Sequence, residues 1–193
     1  MKDIKMIVGL GNPLKKFKNT RHNIGTFFIY YISKFYHVSL IFNKKFSGYT
    51  GTLILNNHKI HLFISDSFMN ISGISVFLYA NFYKILPEEI LVIRDELDLK
   101  PGSLIVKYSQ GHNGHNGMRN ILQIFSKNHF FLQMHIGIGR PIFKSEICSY
   151  VLKYPTSLEI KKIDSVINKF LPYLSNLIFG KLLKTSKKFF LSI

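Results

Sequence analysis

Hydrophobic positions along this chain fall into two patterns, short continuous runs and repeats with helical spacing. Four continuous runs are typical of buried β-strands, at residues 6–10, 90–93, 103–107 and 134–138. Two further runs, 49–55 and 59–64, lie on either side of Asn56–Asn57, a dipeptide that is suited to a hairpin turn. The pattern therefore predicts several strands, two of which pair as an antiparallel hairpin.

Helical spacing of apolar residues predicts helices at 23–36, 71–83 and 118–125, and from about residue 157 onward. Pro172 and Gly180 would interrupt the last of these. Helices that alternate with strands indicate an α/β fold with a mixed, mostly parallel β-sheet flanked by helices. Because neither a repeat nor a linker-like stretch divides the sequence, we expect a single domain over residues 1–193, ending in a basic helical C-terminal tail.

The balance of charges adds a candidate partner. The 193 residues include 26 Lys and Arg against 10 Asp and Glu, a formal net charge of +16, and 47% are hydrophobic, enough for a sizeable core. Such an excess of cations is typical of proteins that bind polyanions, above all nucleic acid. A general compositional bias toward Lys, Asn, Ile and Phe is the alternative explanation.

Cysteine usage and hydropathy indicate the compartment. The lone cysteine, Cys148, excludes an internal disulfide and fits a reducing environment. The hydrophobic stretch 27–42 is interrupted by Lys34 and His37, and it is shorter than the roughly 20 residues that a membrane span needs. The first apolar run is too short for a secretory signal. We therefore expect a cytoplasmic protein without membrane contact.

The glycine-rich turn after the first run does not fit a cofactor motif. The GLG sequence at 9–11 suggests a dinucleotide loop, but Leu14 replaces the third glycine and no acidic residue occurs at 27–47. His112 and His115 lie in a glycine-flanked loop, a poor pattern for zinc. The G-x-S-x-G sequence of serine hydrolases is absent. We expect neither a metal nor an organic cofactor.

Polar side chains follow the ends of the predicted strands, where ligands gather in α/β sheets. A histidine that a carboxylate orients can act as a general base toward water, and amide side chains can hold a peptide or a developing oxyanion. Taken singly, each residue is better explained as a helix cap or a turn residue, and only their joint placement favours a functional role. The candidates are Asn12, His22, Asn70, Asp95 and Asn116.

Beyond single residues, five ordered blocks resemble the bacterial peptidyl-tRNA hydrolase family. They cover most of the chain from Lys5 to about Leu152, and the likeness weakens in the tail. The blocks are VGLGNP and TRHNIG within 8–25, FMNISG at 68–73, DELDLKPG at 95–102, GHNGHNGMRNI at 111–121 and IGIGRP at 136–141.

The resemblance implies an enzyme that hydrolyses the ester between a peptide and the 3′-terminal ribose of peptidyl-tRNA, so that prematurely released tRNA is recycled. It implies that His22 activates water as the general base, that Asp95 orients it, and that Asn12 helps to distinguish peptidyl-tRNA from aminoacyl-tRNA. Asn70 and Asn116 would hold the peptide backbone. The family's members are monomers that act without a cofactor, which we expect of this chain as well.

Further binding residues follow from the same resemblance. Phe68 and Met69 would line the cleft, His115 would support Asn116, and Lys107 would contact the 5′-phosphate of the tRNA. Arg21 and the lysines near it also suit tRNA phosphates.

Three positions depart from the family's usual residues. Leu14 stands where a glycine is usual, and Phe17, which we still expect in the substrate site, replaces a tyrosine. His135 replaces the arginine that would clamp the phosphate together with Lys107, and histidine lacks the forked donors of arginine. Arg140 could compensate for that loss.

Two other functions stay open at this point. A non-catalytic RNA-binding protein on the same fold would keep the basic face without needing a histidine and its carboxylate, while an esterase for small substrates would not need a charge of +16.

The lysines of the tail share part of a predicted helical face that would touch the tRNA away from the cleft: Lys181, Lys184, Lys187 and Lys188.

Overall fold

A computed structural model of the chain describes residues 2–126, 129–183 and 188–193. Within these residues, eight strands form one sheet: β1 (Met6–Gly9), β2 (Ile41–Asn43), β3 (Gly48–Leu55), β4 (His58–Ser65), β5 (Ile90–Glu96), β6 (Ser103–Ser109), β7 (Phe131–Gly137) and β8 (Lys188–Ser192). Their order across the sheet is β2-β3-β4-β1-β5-β7-β6-β8. The predicted α/β architecture with one mixed sheet is confirmed.

Parallel pairing forms the centre of the sheet, and antiparallel pairing forms both flanks. Strand β1 runs parallel to β4 and β5, and β5 runs parallel to β7. The hairpin β3–β4 turns at Asn56 and Asn57, whose φ angles of 46° and 63° are the left-handed values that such a turn requires. On the other flank, β6 pairs antiparallel with β7 and β8.

Helices cover both faces of this sheet: α1 (Leu14–Phe17), α2 (Ile24–Phe35), α3 (Ser72–Phe82), α4 (Asn116–Ile124), α5 (Ile147–Val151), α6 (Ser157–Phe170) and α7 (Leu174–Ile178). Helices α2, α6 and α7 share one buried cluster with Ile7 of β1, while α3 and α4 share another with Met6 and Val8. Since side chains alternate across a strand, the fully apolar β1 contributes side chains to both buried clusters. None of the helices among the described residues has the length and apolar content for a membrane span.

Two glycines allow α2 to begin directly against the sheet. A Cβ atom at Gly25 would lie 2.2 Å from the carbonyl oxygen of Ile93, and one at Gly9 would lie 2.4 Å from the carbonyl oxygen of Gly25. Only glycine permits this approach. The glycine-rich turn therefore serves helix–strand packing, and it places the segment before α2, which carries His22, over the ends of β1 and β5.

The end of the chain differs from the predicted helical tail. Helix α6 begins as expected, at the Thr156 cap, but Lys181 lies beyond α7 and Lys188 opens strand β8. Alternation explains the strand, because Phe189 and Leu191 pack against the core while Phe190 is exposed. The shared helical face of lysines is therefore wrong for Lys181 and Lys188, and Lys184 and Lys187 lie outside the described residues.

Candidate active site

The candidate site lies where three segments meet beyond the carboxyl ends of the central strands. A single 3₁₀ turn, Arg21–Asn23, precedes α2 and carries His22. Strand β5 extends past the predicted 90–93 to include Asp95 and Glu96. The glycine-rich loop that follows β6 ends at His115, the N-cap of α4. Ligands of α/β sheets collect at this edge.

His22 and Asp95 form a buried pair. The Nδ1 atom of His22 lies 2.9 Å and 3.0 Å from the two carboxylate oxygens of Asp95. Because an ionised carboxylate can only accept, Nδ1 carries the hydrogen and donates it. The other ring nitrogen, Nε2, then has a free lone pair, and no residue in the described part of the chain hydrogen-bonds to it. Nε2 is thus available to take a proton from a water molecule.

The electrostatics of the pair keep the carboxylate charged and make the histidine more basic. Burial by itself lowers the pKa of His22, but the charge of Asp95 and its hydrogen bond raise the pKa above its ordinary value. Burial by itself raises the pKa of Asp95, but His22 and His115 hold the pKa of this carboxyl well below its usual range. Asp95 therefore remains an ionised acceptor that orients the ring.

His115 contacts the carboxylate directly, which the sequence did not reveal. Its Nε2 donates to Asp95 over 2.9 Å, and its Nδ1 accepts the Met118 N–H at the start of α4. Burial lowers the pKa of His115 to about 4 against the opposing effect of Asp95. With both ring nitrogens engaged, this neutral ring fixes Asp95 and is not itself available as a base.

Asn12 is fixed so that only part of its side chain is free. Its Oδ1 accepts the Met69 N–H at 2.9 Å. The side chain of Asn23, the residue after the catalytic-turn histidine, accepts the Asn12 N–H at 2.9 Å and donates to the Asn12 carbonyl at 2.8 Å. The Nδ2 group of Asn12 is consequently the donor left for a substrate.

The other predicted substrate residues surround this arrangement. Asn70, on the turn Met69–Ile71, and Asn116, at the start of α4, are both exposed. A Cβ at Gly117 would lie 2.5 Å from Met69 Sδ, so the two segments adjoin. Phe68 is exposed and its ring lies edge-on to that of Phe17, with 6.5 Å between centroids.

A cavity of about 260 Å³ opens beside His22 and Asp95. Its floor includes Asn116, and one wall is the apolar face of α5, formed by Ile147, Cys148 and Val151. Cys148 is exposed on this wall. Asn12, Phe17, Phe68, Asn70 and Lys107 are not among the residues that line the cavity.

The predicted phosphate contacts divide into three outcomes. Lys107 is half-buried on β6, opposite Gln133 of β7. His135 is buried, where its Nδ1 lies 3.0 Å from a Glu96 oxygen and 3.1 Å from Arg94 Nη2, so it cannot face a phosphate. Arg140, the candidate substitute, is partly exposed at the cavity and bonds Asp98 through two nitrogens.

Arg21 does not have the exposure that a phosphate contact requires. Only 6% of the residue is accessible, and its guanidinium donates to backbone carbonyls and to Glu159. The expectation that Arg21 faces tRNA phosphates is therefore wrong, because both terminal nitrogens bond inside the protein and Nε is buried, without a hydrogen-bond partner among the described residues.

His22, Asp95 and His115 are the kinds of side chain that can ligate a cation. One atom each from His22, Asp95 and His115 lie within 4.8 Å of one another. The N–O separations of 2.9 Å are those of hydrogen bonds, in which the nitrogens point at the carboxylate rather than at a shared ion. This donor set fits a hydrogen-bonded relay better than a metal site, and the absence of a metal requirement stays a prediction.

A histidine oriented by a buried carboxylate, with amide groups beside it at the carboxyl edge of an α/β sheet, is typical of enzymes that activate water by general-base catalysis. The family model described as peptidyl-tRNA hydrolase matches residues 6–191. The chain belongs to the peptidyl-tRNA hydrolase family, as its sequence blocks indicated.

Relatives and solved structures agree with this assignment. The chain is 50% identical to a peptidyl-tRNA hydrolase of Buchnera aphidicola subsp. Cinara cedri over 99% of this chain and all of that one. It is 43% identical to one from Pasteurella multocida, over 88% and 87% of the two chains. A crystal structure of the Acinetobacter baumannii peptidyl-tRNA hydrolase superposes with a TM-score of 0.88 at 36% identity, covering 94% and 91%.

Sequence reasoning missed the residues that hold the site together. Asn23 and Arg21 flank His22 in the sequence, and both are buried, with 0% and 6% exposure. Only the structure shows that Asn23 holds the backbone of Asn12 and that Arg21 bonds residues of α5 and α6 and their connection. A polar residue next to a catalytic candidate is a usable signal for such a role. For Glu159, more than 130 positions away, the sequence contained no comparable signal.

Proposed function

We propose that this chain hydrolyses the ester bond between the peptide and the 3′-terminal ribose of peptidyl-tRNA, with His22 as the general base. The observation that carries the proposal is the His22–Asp95 pair, which leaves Nε2 free beside an open cavity. Membership in the peptidyl-tRNA hydrolase family supplies the substrate class.

The geometry suggests the following steps. Nε2 of His22 takes a proton from water while the water oxygen attacks the ester carbonyl carbon. The tetrahedral intermediate collapses as the bond to the ribose oxygen breaks, and the His22 imidazolium returns the proton to that oxygen. Asp95 keeps the ring oriented and stabilises its transient positive charge, as a buried carboxylate does in other histidine-dependent hydrolases.

Amide groups would supply recognition. The free Nδ2 of Asn12 can donate to a carbonyl of the substrate, and the exposed side chains of Asn70 and Asn116 can pair with peptide groups. Phe68 and Phe17 would offer apolar surface to the peptide. An N-blocked or peptidyl substrate has an amide where free aminoacyl-tRNA has a cation, and a donor such as Asn12 Nδ2 favours the former.

The tRNA would be held by charge more than by shape. A formal charge of +16 favours a polyanion and predicts binding that weakens steeply with salt. We propose Lys107 as a phosphate contact. We also propose that the protein acts in the cytoplasm as a single-domain monomer without a metal, in accordance with the resemblance.

The direct test is release of an N-acetylated aminoacyl group from tRNA. We expect rapid release by the native chain, little release from unblocked aminoacyl-tRNA, and loss of activity in His22→Ala. His58→Ala, an exposed histidine at the start of β4, is the matched control and should behave as the native chain. A native chain that binds tRNA and releases nothing would refute the enzyme and favour a non-catalytic RNA-binding protein.

A further inference from the structure

Arg21, the residue before His22, has its side chain and its backbone N–H bonded inside the protein. Its Nη1 lies 3.0 Å from the Tyr154 carbonyl oxygen and 3.4 Å from those of Tyr150 and Lys153. Its Nη2 forms a 2.8 Å ion pair with Glu159, and the guanidinium stacks 4.2 Å from the centroid of the Tyr150 ring. In addition, the Arg21 N–H donates to the Lys153 carbonyl.

All of these partners lie in one continuous segment, residues 150–159, which runs from the end of α5 through the α5–α6 connection to the first turn of α6. Glu159 also accepts the Thr156 N–H over 2.6 Å as part of the capping box that starts α6. The Tyr150 hydroxyl donates to the Ile138 carbonyl just after β7. Arg21 thus ties the catalytic turn to a short helix, a helix cap and a strand end at once.

The connection matters because α5 forms the apolar wall of the cavity beside His22. That helix has only five residues, Ile147–Val151, too few to hold its place by its own hydrogen bonds. Resting on the proposed function, we propose that Arg21 is a positioning residue. By fastening the α5–α6 connection to the turn that carries His22, it sets the distance between the general base and the wall against which the substrate lies.

The contacts also distinguish this role from phosphate binding. Both terminal nitrogens of the guanidinium contact carbonyls or a carboxylate of the protein itself, and Nε is buried without a hydrogen-bond partner among the described residues. With a side chain that is only 7% exposed, the group does not face tRNA. Lysine would keep the charge but not the fork that reaches carbonyls and carboxylate together. Arg21→Lys therefore separates geometry from charge.

The experiment compares four proteins in steady-state release of N-acetylated aminoacyl groups from tRNA: native chain, Arg21→Lys, Glu159→Gln and Glu88→Gln. Glu88→Gln breaks the exposed Lys2–Glu88 pair and is the matched control for losing one ion pair. Binding of tRNA is measured across salt concentrations, and thermal unfolding establishes a temperature at which every variant is folded.

We expect Arg21→Lys to lower kcat by about 10- to 100-fold, the effect of a displaced catalytic group. KM should stay within about twofold and the salt dependence of tRNA binding should not change. Glu159→Gln can still accept the hydrogen bond of the α6 capping box, and we expect it to lower kcat by a smaller factor with KM unchanged. This variant tests the positioning role of Arg21 even if Arg21→Lys does not fold. Glu88→Gln should match the native chain.

Four results would overturn the inference. A raised KM with a shallower salt dependence in Arg21→Lys would make Arg21 a phosphate ligand. A lower melting temperature with native kcat would reduce it to a stabilising residue. An inactive native chain would refute the proposed function itself, and the inference with it, whereas an active native chain with normal variants refutes the inference alone.

Discussion

Asp95 and Glu96 are consecutive carboxylates at the end of β5, and each contacts a buried histidine, yet their surroundings assign them different tasks. Asp95 is flanked by His22 and His115, and no arginine or lysine side chain among the described residues bonds to its carboxylate. Arg94 Nη1 donates only to the backbone carbonyl of Asp95, over 2.9 Å. Glu96 is bonded to Arg94 and His135 and also accepts from Asn113 in the glycine-rich loop.

The difference lies in the histidine that each carboxylate leaves available. Asp95 raises the pKa of His22 against the effect of burial and leaves one ring nitrogen free. Around Glu96, burial together with the charge of Arg94 outweighs the carboxylate and lowers the pKa of His135 to about 4. The two histidines differ because the Arg94 guanidinium bonds His135 and its carboxylate directly, whereas no cation among the described residues bonds His22 or the carboxylate of Asp95. The cluster of Arg94, Glu96 and His135 also holds Asn113, in the loop before His115.

Removing His22 should have the largest effect on catalysis. His22→Ala eliminates the general base, and we expect kcat to fall by about 100- to 10,000-fold because proton transfer in the transition state is lost. Single-turnover release of the N-acetylated group measures this. Binding of tRNA to the variant should be unchanged. A residual rate near native would show that another group activates the water.

Changing Asp95 tests the first cluster without removing the base. Activity requires neutral His22, so it rises as pH increases through the pKa of His22, which Asp95 raises. In Asp95→Asn the burial effect remains without the charge, so this rise should move to lower pH while the plateau rate drops. The pH profile of kcat/KM measures both. An unmoved profile would contradict the role given to Asp95.

Changing Glu96, unlike changing Asp95, should lower the stability of the fold and leave the pH dependence of activity unchanged. Glu96→Gln leaves the buried Arg94 without its carboxylate, and we expect a destabilisation of about 3 kcal/mol in denaturant unfolding. The pH profile of activity should stay where it is. A profile that moves as in Asp95→Asn would end the distinction between the clusters.

Lowering the pH should remove the stabilisation by the ionised Glu96 carboxylate in the native chain as well. Burial acts to raise the pKa of Glu96, but the His135 hydrogen bond and the Arg94 charge lower it from 4.5 to about 2. A lowered folded-state pKa gives stability that is present above 4.5 and is lost as pH falls toward 2. Unfolding experiments across this window should show the loss in the native chain and a smaller one in Glu96→Gln.

The sequence contained the chemistry of the site but not its supports. The strand-end positions of His22, Asp95 and Asn116 could be predicted because apolar periodicity locates strands and sequence blocks identify the family. The clusters around them could not, since His135 and Arg94 become neighbours only through the β5–β7 register. The final strand escaped prediction because a five-residue alternating segment at a lysine-rich end also suits a helix.

The smallest effect should come from Lys107, which was expected to contact the 5′-phosphate, whereas His135 was expected to be a poor substitute for the family's arginine. Lys107→Ala should reduce the salt dependence of tRNA binding by about one phosphate contact, a slope change of roughly 0.7 to 0.9, whereas buried His135→Gln should leave it unchanged. Both are measured in the His22→Ala background, so that the ester survives. Lys2→Ala, which also removes one positive charge but from the exposed Lys2–Glu88 pair, is the control. If His135→Gln also reduced the slope, a ring that is neutral and enclosed by Arg94 and Glu96 would have to reach the phosphate. The cluster around Glu96 would then be part of the tRNA site, and its contrast with the catalytic cluster would fail.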